Sequence, residues 1–243
     1  KALINKAKSQ NDIVVVSTFV NRLQFQQAAF DNYPRNFEHD LTFCDSLNVD
    51  YLFAPTDDEI YSDGFDSKIV VNKLINQLDG GTIRWHYNGV TTIVAKLFNI
   101  INPDNVYFGE KDPHQLAIIK RMTLDFDFPI NIVPVSIERD DLGLAFSSRN
   151  QFLTQEGRNA AYLIYKSILI VEKMIKNGEK NRSFLRETLI NKIELEPLAK
   201  VEFAQIVDPD TLKEDCYLDR SLIYVATLID NVRLTDNKIV SHN

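Results

Sequence analysis

Short runs of apolar, β-branched residues recur along the first half of the chain, and between them the apolar residues switch to helical spacing. "DIVVVSTFV" (12–20) is continuous rather than alternating, the pattern of a strand buried on both faces. "VDYLFAP" (49–55), closed by Pro55, "DNVYFGE" (104–110) and "INIVPVS" (130–136) repeat it. Among the intervening segments, "NFEHDLTFCDSLN" (36–48) spaces Phe37, Leu41, Cys44 and Leu47 as a helix does, and "GVTTIVAKLFNII" (89–101) carries a stripe of Val90, Ile93, Val94 and Leu97. "PHQLAIIKRMTLDF" (113–126) opens on Pro113, tolerated in a first turn where the missing N–H costs nothing. Strand alternating with helix means βαβ units and a parallel sheet with right-handed crossovers. The expected fold is α/β, a Rossmann-like doubly wound parallel sheet.

After residue 137 the pattern changes, so the expected domains are 1–137 and 138–243, the second a smaller α+β unit. "RDDLGLAFSSRNQFL" (139–153) is polar and irregular. Thr154 then caps a long helix with Glu156 in its first turn, and Asn177-Gly178 stops it. A second helix spans roughly 181–194, and two strand-like runs follow, "KVEFAQIVD" (200–208) and "SLIYVATLID" (221–230). At the other end, "KALINKAKSQND" (1–12) reads as the middle of an amphipathic helix with no cap before it, as if residues were missing upstream.

A net charge of -7 leaves no basic field to hold nucleic-acid phosphates, although a local cationic pocket for one small anion is compatible with it. Cys44 and Cys216 fit neither a disulfide framework nor a metal site, which points to a reducing compartment. No apolar run is long enough to cross a membrane; even 160–175 contains Lys166, Glu172 and Lys173. No signal peptide is visible, so the expected location is cytoplasmic. No His, Cys and acid cluster has metal-ligand spacing, so no protein-held metal is expected. The glycine patterns of dinucleotide and Walker-type loops are absent.

In an open parallel sheet, ligands bind beyond the carboxyl ends of the strands. Two strand ends here are polar. The first runs into "FVNRLQF", with Asn21 and Gln24; the third runs into "GEKDPHQ", with Gly109, Glu110, Lys111, Asp112 and Gln115. Gly109 lets a ligand approach the backbone. The helix N-terminus offers N–H groups to an anion, and Lys111 adds a point charge suited to a phosphoryl group in transit. Asp112 can accept from ribose hydroxyls, and Gln115 can reach the same pocket. The plainer alternative is a surface βα turn with acids at a helix dipole. "SSRN", Ser147 to Asn150, sets two hydroxyls beside a guanidinium, a set able to chelate a polyphosphate, or else a helix-capping loop. His86, in the Gly-flanked loop 79–89, is a candidate substrate contact; a lone loop histidine is more often solvated or structural.

Taken in order, these segments resemble the pantothenate synthetase (pantoate–β-alanine ligase) family of the HxGH-type nucleotidyltransferases. "VVVSTFVNRLQF" is similar to the family's VVVSxFVNPxQF, "LDGGTIRWHYNGVTTIVAKLF" to LEGxxRPGHFxGVxTVVxKLF, "FGEKDPHQL" to FGEKDxQQL, and "GLAFSSRNQFLT" to GLAxSSRNxYLs. "VDPDTL" and "VRLTDN" match the tail. The resemblance implies ATP-dependent condensation of pantoate with β-alanine through a pantoyl adenylate, releasing pyrophosphate and then AMP, with Mg²⁺ on the phosphates. It implies that Gln24, Gln115 and Asn21 hold pantoate. Lys111 would bind the transferring phosphates, Gly109 and Asp112 the ribose, and Glu110 would belong to the same ATP-binding set. Ser147, Ser148 and Arg149 would close over the triphosphate from a C-terminal lid domain. It also implies a homodimer through the N-terminal domain, and neither nucleic-acid nor membrane partners.

The chain departs from the family pattern in places. The HxGH segment is absent, and the chain begins at the residues that normally follow it, so the expected sheet is N-terminally truncated. Arg22 stands where FVNPxQF has proline, His114 where DxQQ has its first glutamine, and the 82–88 loop is altered. These changes lie nearer the acid side than the nucleotide side. They keep two alternatives open: an adenylylating ligase for a different carboxylic acid, and a catalytically impaired homologue acting as a binding protein.

Overall fold

The structure, a computed structural model, describes residues 1–78, 83–214 and 220–241; Cys216, His242 and the Gly80-Gly81 pair lie outside the described residues. The chain divides into two compact units, Lys1–Asn76 with Gly80–Val135, and Gln77–Asp79 with Ser136–Asn243.

In the first unit, α1 (Ala2–Lys8) buries Ile4 and Ala7, and Lys1 gives it no side-chain cap. Then come β1 (Val15–Ser17), α2 (Gln27–Asp31), α3 (Phe37–Ser46), β2 (Tyr51–Phe53) and α4 (Asp57–Ile60). They are followed by α5 (Arg84–Ile101), β3 (Asn105–Gly109), α6 (Pro113–Asp125) and β4 (Asn131–Val135). β1 pairs parallel to β2, Val15 opposite Tyr51 and Ser17 opposite Phe53. β3 pairs parallel to β4, from Asn105 opposite Asn131 to Gly109 opposite Val135. Among the described residues these ladders are separate, so each strand keeps an open edge. Val15 and Val16 are half-buried, where the apolar run predicts a strand covered on both faces.

The core of this unit lies between α5 and α6. Val90, Ile93, Val94 and Phe98 of α5 are buried, as are Leu116, Ile118, Ile119 and Met122 of α6. α5 starts at Arg84, five residues before the start its apolar stripe predicts, so Arg84, Trp85 and His86 are helical and not part of a loop. It ends at Asn102, whose φ of 49° gives a left-handed stop. On α3, Cys44 is buried while Phe37 and Leu41 of the same stripe remain exposed.

In the second unit, Thr154 Oγ1 accepts from the Gly157 N–H at 2.9 Å and starts α7 (Gln155–Lys176). α8 (Arg182–Ile193) follows, then an antiparallel sheet β5 (Ala199–Val207), β6 (Arg220–Ile229), β7 (Val232–Ser241) in that order. Ile164, Ile168, Val171 and Ile175 of α7 share a core with Leu185, Leu189 and Ile193 of α8 and with Ile206, Ile223 and Val225 of the sheet. β7 is a strand that the sequence reading did not include. It is joined to β6 by Asp230 and Asn231, with φ of 48° and 64°, the backbone of a tight two-residue hairpin turn.

Candidate active site

The chain leaves β1 and turns at Asn21. The buried Asn21 side chain caps a 3-10 turn, Arg22–Gln24, by accepting from the Leu23 N–H at 3.2 Å. The Tyr61 hydroxyl donates to the same oxygen at 2.6 Å. Asn21 Nδ2 donates to the Gly89 carbonyl and to Gln24 Oε1, each at 3.0 Å. Burial, with Asp57 nearby, pushes the Tyr61 phenol well above the ordinary range, so it stays protonated and donates. His86 donates its Nδ1–H to the Gln24 carbonyl at 2.8 Å. Gly89 meets the turn backbone to backbone: a β-carbon there would lie 2.4 Å from the Leu23 carbonyl oxygen.

The second strand-end cluster follows β3. Gly109 is exposed, with no atom within 4 Å of the place a β-carbon would occupy. The strand is sealed by the Glu110 N–H donating to the Val135 carbonyl at 2.9 Å. Glu110 and Lys111 are half-buried and Asp112 is exposed. Asp112 caps α6, its Oδ1 accepting from the Gln115 N–H at 3.0 Å. This corrects one expectation. Pro113 has no N–H and the Gln115 N–H is taken by a carboxylate, so the helix terminus is a poor anion cradle. The positive charge in this segment is that of Lys111, and Asp112 spends one oxygen on the cap.

Helix α5 ties the two clusters together. His86 holds the Gln24 turn; its neighbour Tyr87 lies against the His114 ring, centroids 4.4 Å apart, in the first turn of α6 beside Gln115. His114 is itself buried and donates from Nε2 to the Leu74 carbonyl at 2.8 Å. Arg22 pairs with Asp57, and its guanidinium lies 4.9 Å from the Tyr61 ring centre.

In the second unit, Ser147 caps the 3-10 helix Ser148–Phe152, its Oγ accepting from the Arg149 N–H at 3.2 Å. The capping reading of this loop is therefore correct, yet it uses only one lone pair of Ser147. Ser148 and Arg149 are exposed, and Arg149 Nη1 donates to the Arg233 carbonyl at 3.2 Å. The loop is anchored from behind: Asn150 Nδ2 donates to the Ala145 carbonyl, and Arg139 forms a bidentate pair with the buried Asp236. Among the described residues no group of three or more His, Cys, Asp and Glu side chains is placed to hold a metal ion. None of the described helices is long and apolar enough to cross a membrane.

The profile of the family described as pantoate-beta-alanine ligase matches residues 1–239. The chain belongs to the pantoate-β-alanine ligase family. Its members include the Aquifex aeolicus pantothenate synthetase, 45% identical over 239 residues, which span 98% of this chain and 85% of that protein. The pantothenate synthetase of Thermoanaerobacter sp. is 41% identical over all of this chain and 86% of its own. The crystal structure of Thermus thermophilus pantothenate synthetase superposes with a TM-score of 0.88 at 34% identity, covering 98% of this chain and 87% of the other. A Francisella tularensis family member, solved in complex with "Beta-gamma ATP and Beta-alanine", gives a TM-score of 0.75 at 36% identity, covering 98% and 83%. Tyr61 and Gly89 are the site residues that motif reading did not assign. Gly89 stands inside the quoted "HYNGV" segment, where a glycine within a helical pattern signals close backbone approach.

Proposed function

We propose that this family member joins pantoate to β-alanine using ATP. The pantoate carboxylate attacks the α-phosphorus and pyrophosphate leaves. The β-alanine amine then attacks the acyl carbon of the adenylate; AMP leaves, the amine releases a proton, and the amide is pantothenate. No protein nucleophile is required, so the chain's task is positioning and charge stabilisation.

The observation that carries this reading is the turn after β3. An uncluttered Gly109 at the carboxyl end of a parallel strand is followed by Lys111 and by a carboxylate with one oxygen already used as a cap. On this reading Gly109 and Asp112 receive the ribose, Lys111 supplies the charge to the phosphates, and Glu110 belongs to the same ATP-binding turn. Gln24, Gln115 and Asn21 take the acid. Ser147, Ser148 and Arg149 bind the polyphosphate. Mg²⁺ would arrive with the triphosphate, whose oxygens it coordinates. The reading includes a homodimer paired through the first unit and a cytoplasmic location.

The test is pantoate-dependent pyrophosphate release from ATP and Mg²⁺ without β-alanine, in the full-length protein. Lys111→Ala should lower that rate by about 10²–10³-fold, the size of a lost electrostatic contact to a developing charge, while the protein still folds. Full release by that variant would reject the role of Lys111. A different acid supporting release where pantoate does not would reject pantoate as the substrate.

A further inference from the structure

We propose that Tyr61, held by Arg22 and Asp57, is a positioning residue that fixes the hydrogen-bond polarity of the acid pocket through Asn21 and Gln24. The inference rests on the reading of Gln24 as an acid-binding residue. It begins with donor counting. Asn21 Oδ1 receives two donors, the Leu23 N–H and the Tyr61 O–H. The amide of Asn21 is thereby fixed in orientation, and both hydrogens of Nδ2 must point away, to the Gly89 carbonyl and to Gln24 Oε1. Gln24 Oε1 then already accepts one bond, while its Nε2 keeps two N–H donors. A pocket so polarised favours acceptor oxygens, as in a carboxylate, over a donor such as a carboxamide N–H.

Tyr61 cannot swap roles. Its phenol is buried and kept protonated, so it has a hydrogen to give and Asn21 must accept it. The ring is also fixed in place. Phe65 and Phe19 pack against it at centroid distances of 4.8 and 6.1 Å, and the Arg22 guanidinium sits over it, itself tethered to Asp57. Arg22 is the first residue of the 3-10 turn that ends in Gln24, so the same side chain ties the turn to the ring. With no proline ring at position 22, this non-covalent tie takes over the job of limiting the turn's motion. The plainer account is a core tyrosine whose hydroxyl merely finds a partner. It does not predict that the hydroxyl should matter to one substrate only.

The experiment compares Tyr61→Phe, Gln24→Ala, the double variant and Arg22→Ala in the full-length protein, by steady-state pyrophosphate release and thermal unfolding. Tyr61→Phe should raise the pantoate KM about tenfold, the size of one buried hydrogen bond, with the ATP KM and kcat within twofold. In the Gln24→Ala background the same change should add nothing, because the residue it acts through is gone. Arg22→Ala should raise the pantoate KM about two- to threefold, since its ion pair is half exposed. The relay is overturned if Tyr61→Phe leaves the pantoate KM unchanged, shifts pantoate and ATP alike, or adds its full effect to Gln24→Ala. Should Tyr61→Phe fail to fold, Arg22→Ala decides the matter on the same KM ratio. If wild type uses another acid, the pantoate reading fails and the relay is read on that acid's KM instead.

Discussion

Gly89 faces Leu23 so closely that a β-carbon would lie 2.4 Å from the Leu23 carbonyl oxygen and 2.7 Å from the Gln24 amide nitrogen. Both obstacles are backbone, so neither can rotate away. Gly89→Ala must push the Arg22–Gln24 turn off α5 and break the bond from Asn21 Nδ2 to the Gly89 carbonyl. The expected cost is about 1–3 kcal/mol of stability from overpacking, read as a lower unfolding temperature, together with a raised pantoate KM. Unchanged kinetics with unchanged stability would mean that the turn does not depend on this contact.

Gly109 makes the opposite prediction. Nothing lies within 4 Å of its would-be β-carbon and its φ is not positive, so Gly109→Ala should fold as well as wild type. If a nucleotide occupies that space, the added methyl should raise the ATP KM about tenfold or more while pantoate binding is spared. Calorimetric titration of a non-hydrolysable ATP analogue against both proteins measures it directly.

The contrast between these glycines shows what was legible from sequence. Gly109 sits where an apolar run meets charged residues, and that local pattern marks a strand end and a candidate ligand turn. Gly89 is constrained by a turn more than sixty residues earlier, and Tyr61 reaches Asn21 across a separation of 40 positions. No periodicity reports such contacts. The same holds for the start of α5: His86 and Tyr87 are held helical by Gln24 and His114, partners from elsewhere in the chain. β7 was obscured differently. Asp236 and Asn237 interrupt its apolar pattern, yet both are buried, and Arg139 pairs with Asp236. The Asp230-Asn231 turn before it was the available local signal.

That buried pair yields a stability prediction for the second unit. Arg139 donates to both carboxylate oxygens of Asp236, at 2.7 and 2.8 Å, and stacks 3.6 Å from the Tyr165 ring centre. Asp236→Ala leaves a largely buried guanidinium without its counter-charge and should cost about 3–5 kcal/mol. Replacing both partners, Arg139→Met with Asp236→Leu, should recover most of that loss. Urea denaturation followed by intrinsic fluorescence of the variants tests the pair. A double variant as unstable as the single one would show that the pair's hydrogen bonds, such as Arg139 to the Gly143 carbonyl at 3.1 Å, matter more than its charges.

Asp208, in the "VDPDTL" turn after β5, supplies the pH dependence. Burial works against its ionisation, but Oδ1 accepts from the Thr211 N–H at 2.7 Å, the Thr211 hydroxyl at 3.0 Å and the Asp210 N–H at 3.0 Å. These bonds, with Arg220 nearby, outweigh burial and hold the carboxyl below its usual range. A carboxyl lowered in the folded state stabilises the fold above its unfolded pKa, about 3.9, and that contribution disappears as the pH falls through the lowered folded value. Asp208→Ala should therefore unfold at a lower temperature than wild type at pH 7, and the gap should narrow as the pH drops below about 4. Asp208→Asn keeps an acceptor oxygen but has no charge to lose, so it should fall between the two at pH 7 and add no titration of its own in acid. A gap between wild type and Asp208→Ala that stays constant from pH 7 into strong acid would assign the turn's stability to packing, with no share for the ionised carboxylate.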